Sequence, residues 1–234
     1  MLVKTRAIVL HQVRYGETSL IVNLYSEQYG RISCMAGRVR TKKAQFPASL
    51  FQPLTILDLE LYYKANRDIH RIREASCPVH FTSIPFELRK TTIAFFIAEV
   101  MYRTLREEAP NAALFEFLYH AVWLLDTKEQ GIAAFHLVFL LHFSRFLGFF
   151  PADITSPDEL AYLPELNVFS NMQPDVRSLL FSLMNTSLAQ TETVSLTHAQ
   201  MEYLLDRILA FYRQQVDSMG KLNSLQVLRE IFME

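Results

Sequence analysis

The hydrophobic period of this chain switches from two to about 3.6 near residue 76, so the chain must join a sheet to a set of helices. Before the switch, Leu57, Leu59 and Leu61 alternate with Asp58, Glu60 and Tyr62, and Leu20, Val22 and Leu24 alternate in the same way, as half-buried strands do. Five strands fit, over residues 3–13, 18–25, 31–36, 53–62 and 68–74, with turns after Gly16, Gly30 and Gly37 and at the Ala65-Asn66-Arg67 tip. Five short curved strands with a longer connection between the third and fourth is the layout of a small closed barrel of the oligonucleotide-binding kind, an OB-fold.

After residue 76 the apolar residues repeat at helical spacing. Met201, Leu204, Leu205, Ile208, Leu209 and Tyr212 form one stripe, and Leu114, Phe117, Leu118, Ala121, Val122 and Leu125 form another. Pro85 suits the first turn of one helix, Asn111 would cap the next, and Gly148 followed by Pro151 would stop a third that starts near Gly131. Residues 152–173, with Pro157 and Pro164 and no clean period, read as an irregular insertion, and helices over 174–184, 197–217 and 223–232 follow. The expected architecture is α+β multidomain: a five-stranded OB-fold β-barrel over residues 1–76, then an all-α helical domain over residues 77–234.

The total of 234 residues, 50% of them apolar and 12% aromatic, suffices for two cores. In the helical part the longest run free of Asp, Glu, Lys and Arg, Gln130 to Ser144, is 15 residues, against about 20 for a membrane span. The N-terminus has a short apolar run with no small-residue cleavage site behind it, so no secretory signal is read. Two cysteines, Cys34 and Cys77, are too few for a disulfide framework or a zinc cage. These features predict a cytoplasmic protein without a membrane anchor, a metal or another cofactor.

The near-neutral total charge hides a division. Residues 1–76 hold 12 Lys+Arg against 6 Asp+Glu, a net +6, and residues 77–234 hold 11 against 18, a net −7. Four of the front cations, Arg38, Arg40, Lys42 and Lys43, crowd into the loop after the third strand, with Arg31 upstream on that strand. Like charges gathered there are well placed to neutralise phosphates. A solvated loop is the competing reading. Of the nearby aromatics, Phe46 and Tyr63 are candidates to stack on unpaired bases.

No enzymatic constellation emerges. His136 and His142 are six apart on one predicted helix and lie on different faces, whereas ligand pairs want i, i+3 or i+4. Gly220-Lys221 is followed by Leu222, and Gln215 stands where a phosphate-binding loop needs its first glycine. Twelve of the 18 phenylalanines lie between residues 77 and 150, more than one buried stripe requires. A core-central helix accounts for most of them. A residual apolar groove edged by Arg103, Arg106 or Arg145 would suit a short acidic peptide with apolar residues.

The stretches Ala7-Ile8-Val9-Leu10, Gly16-Glu17-Thr18-Ser19-Leu20, Gly37-Arg38 with its trailing cations, Leu57-Asp58-Leu59-Glu60-Leu61-Tyr62-Tyr63 and Ile72-Arg73-Glu74-Ala75 resemble, in order and spacing, the N-terminal domain of the bacterial recombination mediator family RecO. Phe146-Leu147-Gly148-Phe149 resembles the family's central helix, and Gly220-Lys221-Leu222-Asn223-Ser224 with Val227-Leu228-Arg229 its C-terminal helix. The resemblance implies a non-catalytic DNA repair and recombination protein, acting in the cytoplasm at the nucleoid. Such a protein binds single- and double-stranded DNA, anneals complementary strands and acts with the partner RecR to help load the RecA recombinase onto DNA coated by single-stranded DNA-binding protein (SSB). It implies phosphate contacts at Arg38, Arg40 and Lys42 or Lys43, and a site in the helical domain for the acidic C-terminal tail of SSB. Some members carry a four-cysteine zinc module there; residues 149–175 contain no cysteine, so zinc is not carried over. The alternative is a protein adaptor that docks an acidic partner on the basic barrel and binds no DNA.

Overall fold

The computed structural model describes residues 1–39, 46–106, 109–150, 154–162 and 166–232. Five strands, β1 (Leu2–Tyr15), β2 (Ser19–Ser26), β3 (Gly30–Ala36), β4 (Ile56–Tyr62) and β5 (Ile69–Ser76), close into a barrel in the order β1-β2-β3-β5-β4. The first strand is long enough to serve two neighbours. Its residues Leu2 to Ile8 pair with β4, and Ala7 to Tyr15 pair with β2 across a bulge between Val9 and His11. The short parallel pairing of Ser33, Met35 and the residue between them with Ile69 to Arg71 closes the ring. Inward residues Val22, Leu24, Cys34, Ala36, Leu57 and Leu61 are fully buried, as the alternation predicts. Gly16 and Gly30, both at φ +61°, supply the left-handed turns of the first two hairpins.

The fourth strand begins three residues later than its hydrophobic pattern suggests. Leu54 adopts φ +66°, and the tight turn that bonds the Thr55 N–H to the Gln52 carbonyl at 3.1 Å swings the chain before the strand can start. A helical turn at Ala48–Phe51 precedes it and buries Phe51 in the barrel.

The remainder is helical: α1 (Leu88–Thr104), α2 (Ala112–Thr127), α3 (Ile132–Phe146), α4 (Glu159–Tyr162), α5 (Asn167–Ser170), α6 (Pro174–Asn185), α7 (His198–Gln215) and α8 (Ser224–Phe232). Asn111 caps α2 by accepting from the Leu114 N–H at 3.0 Å, and Thr197 with Gln200 forms a reciprocal capping box on α7. Pro85 lies outside α1. The Asp126 carboxylate at the end of α2 takes the N–H groups of Thr82, Ser83 and Ile84 at 2.8–2.9 Å, and the buried Lys90 ammonium donates to Ser83 Oγ and the Asp126 carbonyl. That network holds residues 82–87 as a loop. Helix α3 runs through the centre with Phe135, Phe139 and Phe143 at most 1% exposed, so most of the phenylalanine excess is core.

The barrel and helices share one apolar surface, in which Ile8, Leu10, Tyr25, Leu54 and Ile56 join the helical core. Two arginines bolt it. The Arg6 guanidinium on β1 pairs with Glu27 at 2.7 Å and with Glu116 of α2 at 2.6 Å, and it lies 5.1 Å from the centre of the Phe115 ring. Arg31 on β3 caps the C-terminus of α1.

Candidate nucleic-acid interface and partner groove

Residues paired across a ladder project to the same side, so the register identifies the outer face of the barrel. With Val22 and Cys34 inside, Ile21 and Met35 face out, in a row that runs Val13, Ile21, Met35, Arg71, Tyr62 across the sheet. Ile69 lies in the next row, opposite Ser33. Val13, Tyr15, Tyr62 and Ile69 are between 43% and 56% exposed, which makes this an apolar and aromatic strip open to solvent. Cations border it. Arg71 is exposed within the row, and the β4–β5 turn adds the exposed Lys64 and Arg67. In barrels of this kind the second and third strands, with the first and last hairpin loops, form the oligonucleotide-binding surface.

Arg38 stands at another border. It is exposed at φ +55°, and the reversal sends Val39 into the barrel core, with its N–H on the Thr18 carbonyl at 2.8 Å. Arg40, Lys42 and Lys43 lie outside the described residues. Arg31 has other partners than phosphate: its guanidinium donates to the carbonyls of Tyr102 and Leu105 at 3.3 and 3.4 Å and to Asn23 Oδ1 at 3.3 Å, and its carbon sits 4.5 Å from the centre of the Tyr102 ring. Desolvation lowers its pKa below the ordinary arginine range, yet the helix-end carbonyls hold it in place. Phe46, expected as a stacking residue, is 4% exposed and meets Phe51 edge-on at 6.1 Å. Tyr63, the other such candidate, is half-buried in a stack between Tyr29 at 4.3 Å and His70 at 4.5 Å.

Tyr62, Lys64, Arg67 and Arg71 were not singled out by sequence because they are scattered singly through a strand, a turn and the next strand. The hairpin fold gathers them. The period of two over residues 57–62 already put Tyr62 on the face opposite Leu57, Leu59 and Leu61, and that was the signal available.

A second feature is a groove of about 650 Å³ between the barrel and the helices. Helix α1 is its floor, through Leu88, Phe95 and Tyr102; residues 10–12 of β1 form one wall and the start of α8 another. Leu88, Phe95 and Val227 are 64%, 47% and 48% exposed. Arg103 lies at one end. It is 3.7 Å from Glu99 and 3.5 Å from the Lys221 carbonyl, and its buried Nε has no hydrogen-bond partner. Glu99 itself is held by the N–H groups of Asn223 and Ser224 at 3.0 and 2.8 Å and by the Ser224 hydroxyl at 2.6 Å; these bonds outweigh its desolvation and lower its pKa. Of the other two arginines expected at such a groove, Arg106 is exposed beyond the end of α1, and Arg145 donates to the Met184 carbonyl at 3.0 Å, away from the groove lining.

Among the described residues no three His, Cys, Asp or Glu side chains gather in a metal-binding group. His142 shares a hydrogen bond with the Thr186 carbonyl at 2.8 Å, and His136 is wholly buried. Burial pushes the Cys34 thiol up to about 12, far from a reactive thiolate. None of the helices described is long and apolar enough to cross a membrane.

Comparison with known proteins gives a consistent answer over the length of the chain. The family model described as recombination protein O N terminal matches residues 1–78, and that described as recombination protein O C terminal matches residues 85–152. The DNA repair protein RecO of Bacteroides fragilis is 38% identical over 99% of this chain and 100% of its own length. Those of Phocaeicola vulgatus and Flavobacterium psychrophilum are 34% and 32% identical with the same coverage.

Proposed function

This chain belongs to the RecO family of DNA repair proteins, and on that premise we propose that it is a non-catalytic recombination mediator that holds DNA on the outer face of its barrel. In this reading it anneals complementary strands and acts with RecR to help load RecA onto SSB-coated single-stranded DNA, in the cytoplasm at the nucleoid. Residues 1–76 carry DNA and RecR; residues 77–234, with the barrel residues that border them, carry the SSB tail. The observation that supports the DNA face best is the solvent-open strip of Val13, Tyr15, Ile69 and Tyr62 bordered by Arg38, Lys64, Arg67 and Arg71. Phosphates neutralised at the border leave bases to lie on the strip, and a strand held that way can meet its complement. The loop cations Arg40, Lys42 and Lys43 are further phosphate contacts in this proposal. For the SSB tail the groove beside α1 is the preferred site, because Leu88, Phe95 and Val227 line it with exposed apolar surface and Arg103, with only long contacts to its existing partners, stands at one end.

A salt titration on an unstructured oligonucleotide tests the DNA face. For single strands log K falls with log salt at a slope near −0.7 per phosphate. Replacing Arg38, Lys64, Arg67 and Arg71 by Ala together is expected to flatten that slope by up to about 3, and Tyr62→Ala to weaken binding about tenfold, within the stacking range, with the slope retained. A folded quadruple variant with an unchanged slope would move the site elsewhere. A wild-type protein with no salt-dependent oligonucleotide binding would favour the adaptor reading.

A further inference from the structure

The row of outward residues next to the apolar strip turns polar where it meets the helices. It runs His11, Asn23, Ser33, Ile69 across β1, β2, β3 and β5. Along β2, Asn23 lies two residues from Ile21 of the strip, about 7 Å away. The end of α1 stands beside this row: the Tyr102 ring is 4.5 Å from that of His11, and the Tyr102 carbonyl accepts from Arg31 at 3.3 Å. Asn23 therefore sits in the corner between the open sheet and the helix end, 8% exposed.

The amide in that corner is fixed, and half of it is unused. Its Oδ1 accepts from Ser33 Oγ at 2.9 Å and from the Arg31 guanidinium at 3.3 Å. A guanidinium only donates, so the atom that faces it is the oxygen, and the amino group points the other way. Both lone pairs of the oxygen are then taken. Among the described residues Nδ2 donates to none, and it is not one of the polar atoms sealed from solvent without a partner. An oriented donor left open on a nearly buried side chain calls for an acceptor from outside the chain.

An asparagine with both amide atoms free pairs with adenine, accepting from its amino group and donating to the ring nitrogen beside it. Asn23 has no oxygen to spare for that pair, and only the donor remains. We propose that Asn23 reads the bound strand by donating to a base carbonyl, so that thymine, cytosine and guanine, which carry one, are held better than adenine, which does not. The proposal rests on the reading of the barrel's outer face as the DNA face and adds a base-sensing residue to it. A base lying on Ile21 and Met35 brings its edge toward the row of Asn23, while the phosphates stay with the cations of the border.

The test is fluorescence anisotropy of the full-length protein with short oligonucleotides of equal length: (dT), (dA), and a thymine chain in which every base is replaced by difluorotoluene, which has the shape of thymine but no carbonyl. The isostere is more apolar than thymine, so on the apolar strip alone it would bind as well as (dT) or better. With Asn23 as donor it is expected to bind about fivefold more weakly, the worth of one hydrogen bond. Asn23→Asp keeps the acceptor for Ser33 and Arg31 and replaces the donor by an oxygen that can take the amino group of adenine. The ratio of (dT) to (dA) affinity is expected to fall about fivefold in that variant. The added charge acts on both chains alike and cancels in the ratio, as does the self-stacking of (dA). An isostere that matches or exceeds (dT) on the wild-type protein overturns the base contact, and so does an unchanged ratio in a folded Asn23→Asp variant; either leaves the DNA face standing. Because the isostere is measured on the wild-type protein, it decides the matter even where the variant does not fold. Oligonucleotide binding that is absent, or indifferent to replacement of Arg38, Lys64, Arg67 and Arg71, overturns both.

Discussion

At His136 an imidazole lies wholly buried between Phe96 and Phe232, ring centres 6.1 and 5.9 Å away, with neither nitrogen in hydrogen-bond geometry. Desolvation outweighs the nearby Ala133 carbonyl and lowers the pKa from 6.5 to about 3. The folded state therefore keeps a neutral ring at pH values where the unfolded chain binds a proton. Stability from this site is full above about 6.5 and is lost progressively as pH falls toward 3. At pH 5 the loss amounts to about 2 kcal/mol. His136→Leu removes no hydrogen bond and is expected to lose about that much less stability than the wild type between pH 7 and pH 5, measured by urea unfolding at the two values. His11 and His142, whose pKa values are also lowered chiefly by burial, are common to both proteins, so the difference isolates His136. Equal losses in both proteins would show that His136 can take up a proton without disturbing the fold. The scattered histidines already argued against a metal site in the sequence, but that this one is sealed among apolar rings depends on which helices surround α3, and no local pattern encodes that.

The elements themselves were largely legible, because each strand and long helix carries its own period and the caps at Asn111 and Thr197 are local chemistry. What the sequence concealed is where elements are cut short by other parts of the chain. Helix α1 starts after Pro85 because Asp126, more than 40 residues on, takes the N–H groups that a helix start would leave open. Strand β4 starts late because Leu54 turns left-handed, a state that a leucine gives no warning of. Arg31 is the same lesson in charge: a sequence counts the cation but not the two helix-end carbonyls that wait for it. As a clamp between β3 and α1, Arg31→Met should destabilise the protein by about 1–3 kcal/mol, the cost of leaving buried acceptors unmet, and leave the salt slope of DNA binding unchanged. A phosphate contact would instead lower the slope by about 0.7 on single strands. Chemical denaturation and the salt titration, run on the same preparation, separate the two roles.

For the whole molecule, the division of charge and of hydrophobic period suggests two separable halves, yet the fold joins them through one continuous apolar surface. Ile8, Leu10, Tyr25, Leu54 and Ile56 are each at most 2% exposed and belong to the helical core as much as to the barrel. Each such side chain uncovered costs about 1.5–3 kcal/mol, and severing the halves also strips Arg6 of Glu116 and Arg31 of the α1 carbonyls. A fragment of residues 77–234 would present the matching face of α1 to water. It is therefore expected to melt at a lower temperature than the intact chain, to bind a hydrophobic dye and to self-associate at micromolar concentration, and adding the separate barrel should partly restore its stability. The same joint ties the solvent-open strip of the barrel to the groove beside α1, since β1 contributes Val13 and Tyr15 to the first and residues 10–12 to the second. A monomeric helical fragment with an unchanged melting temperature would show instead that the shared surface contributes little and that the two halves act independently.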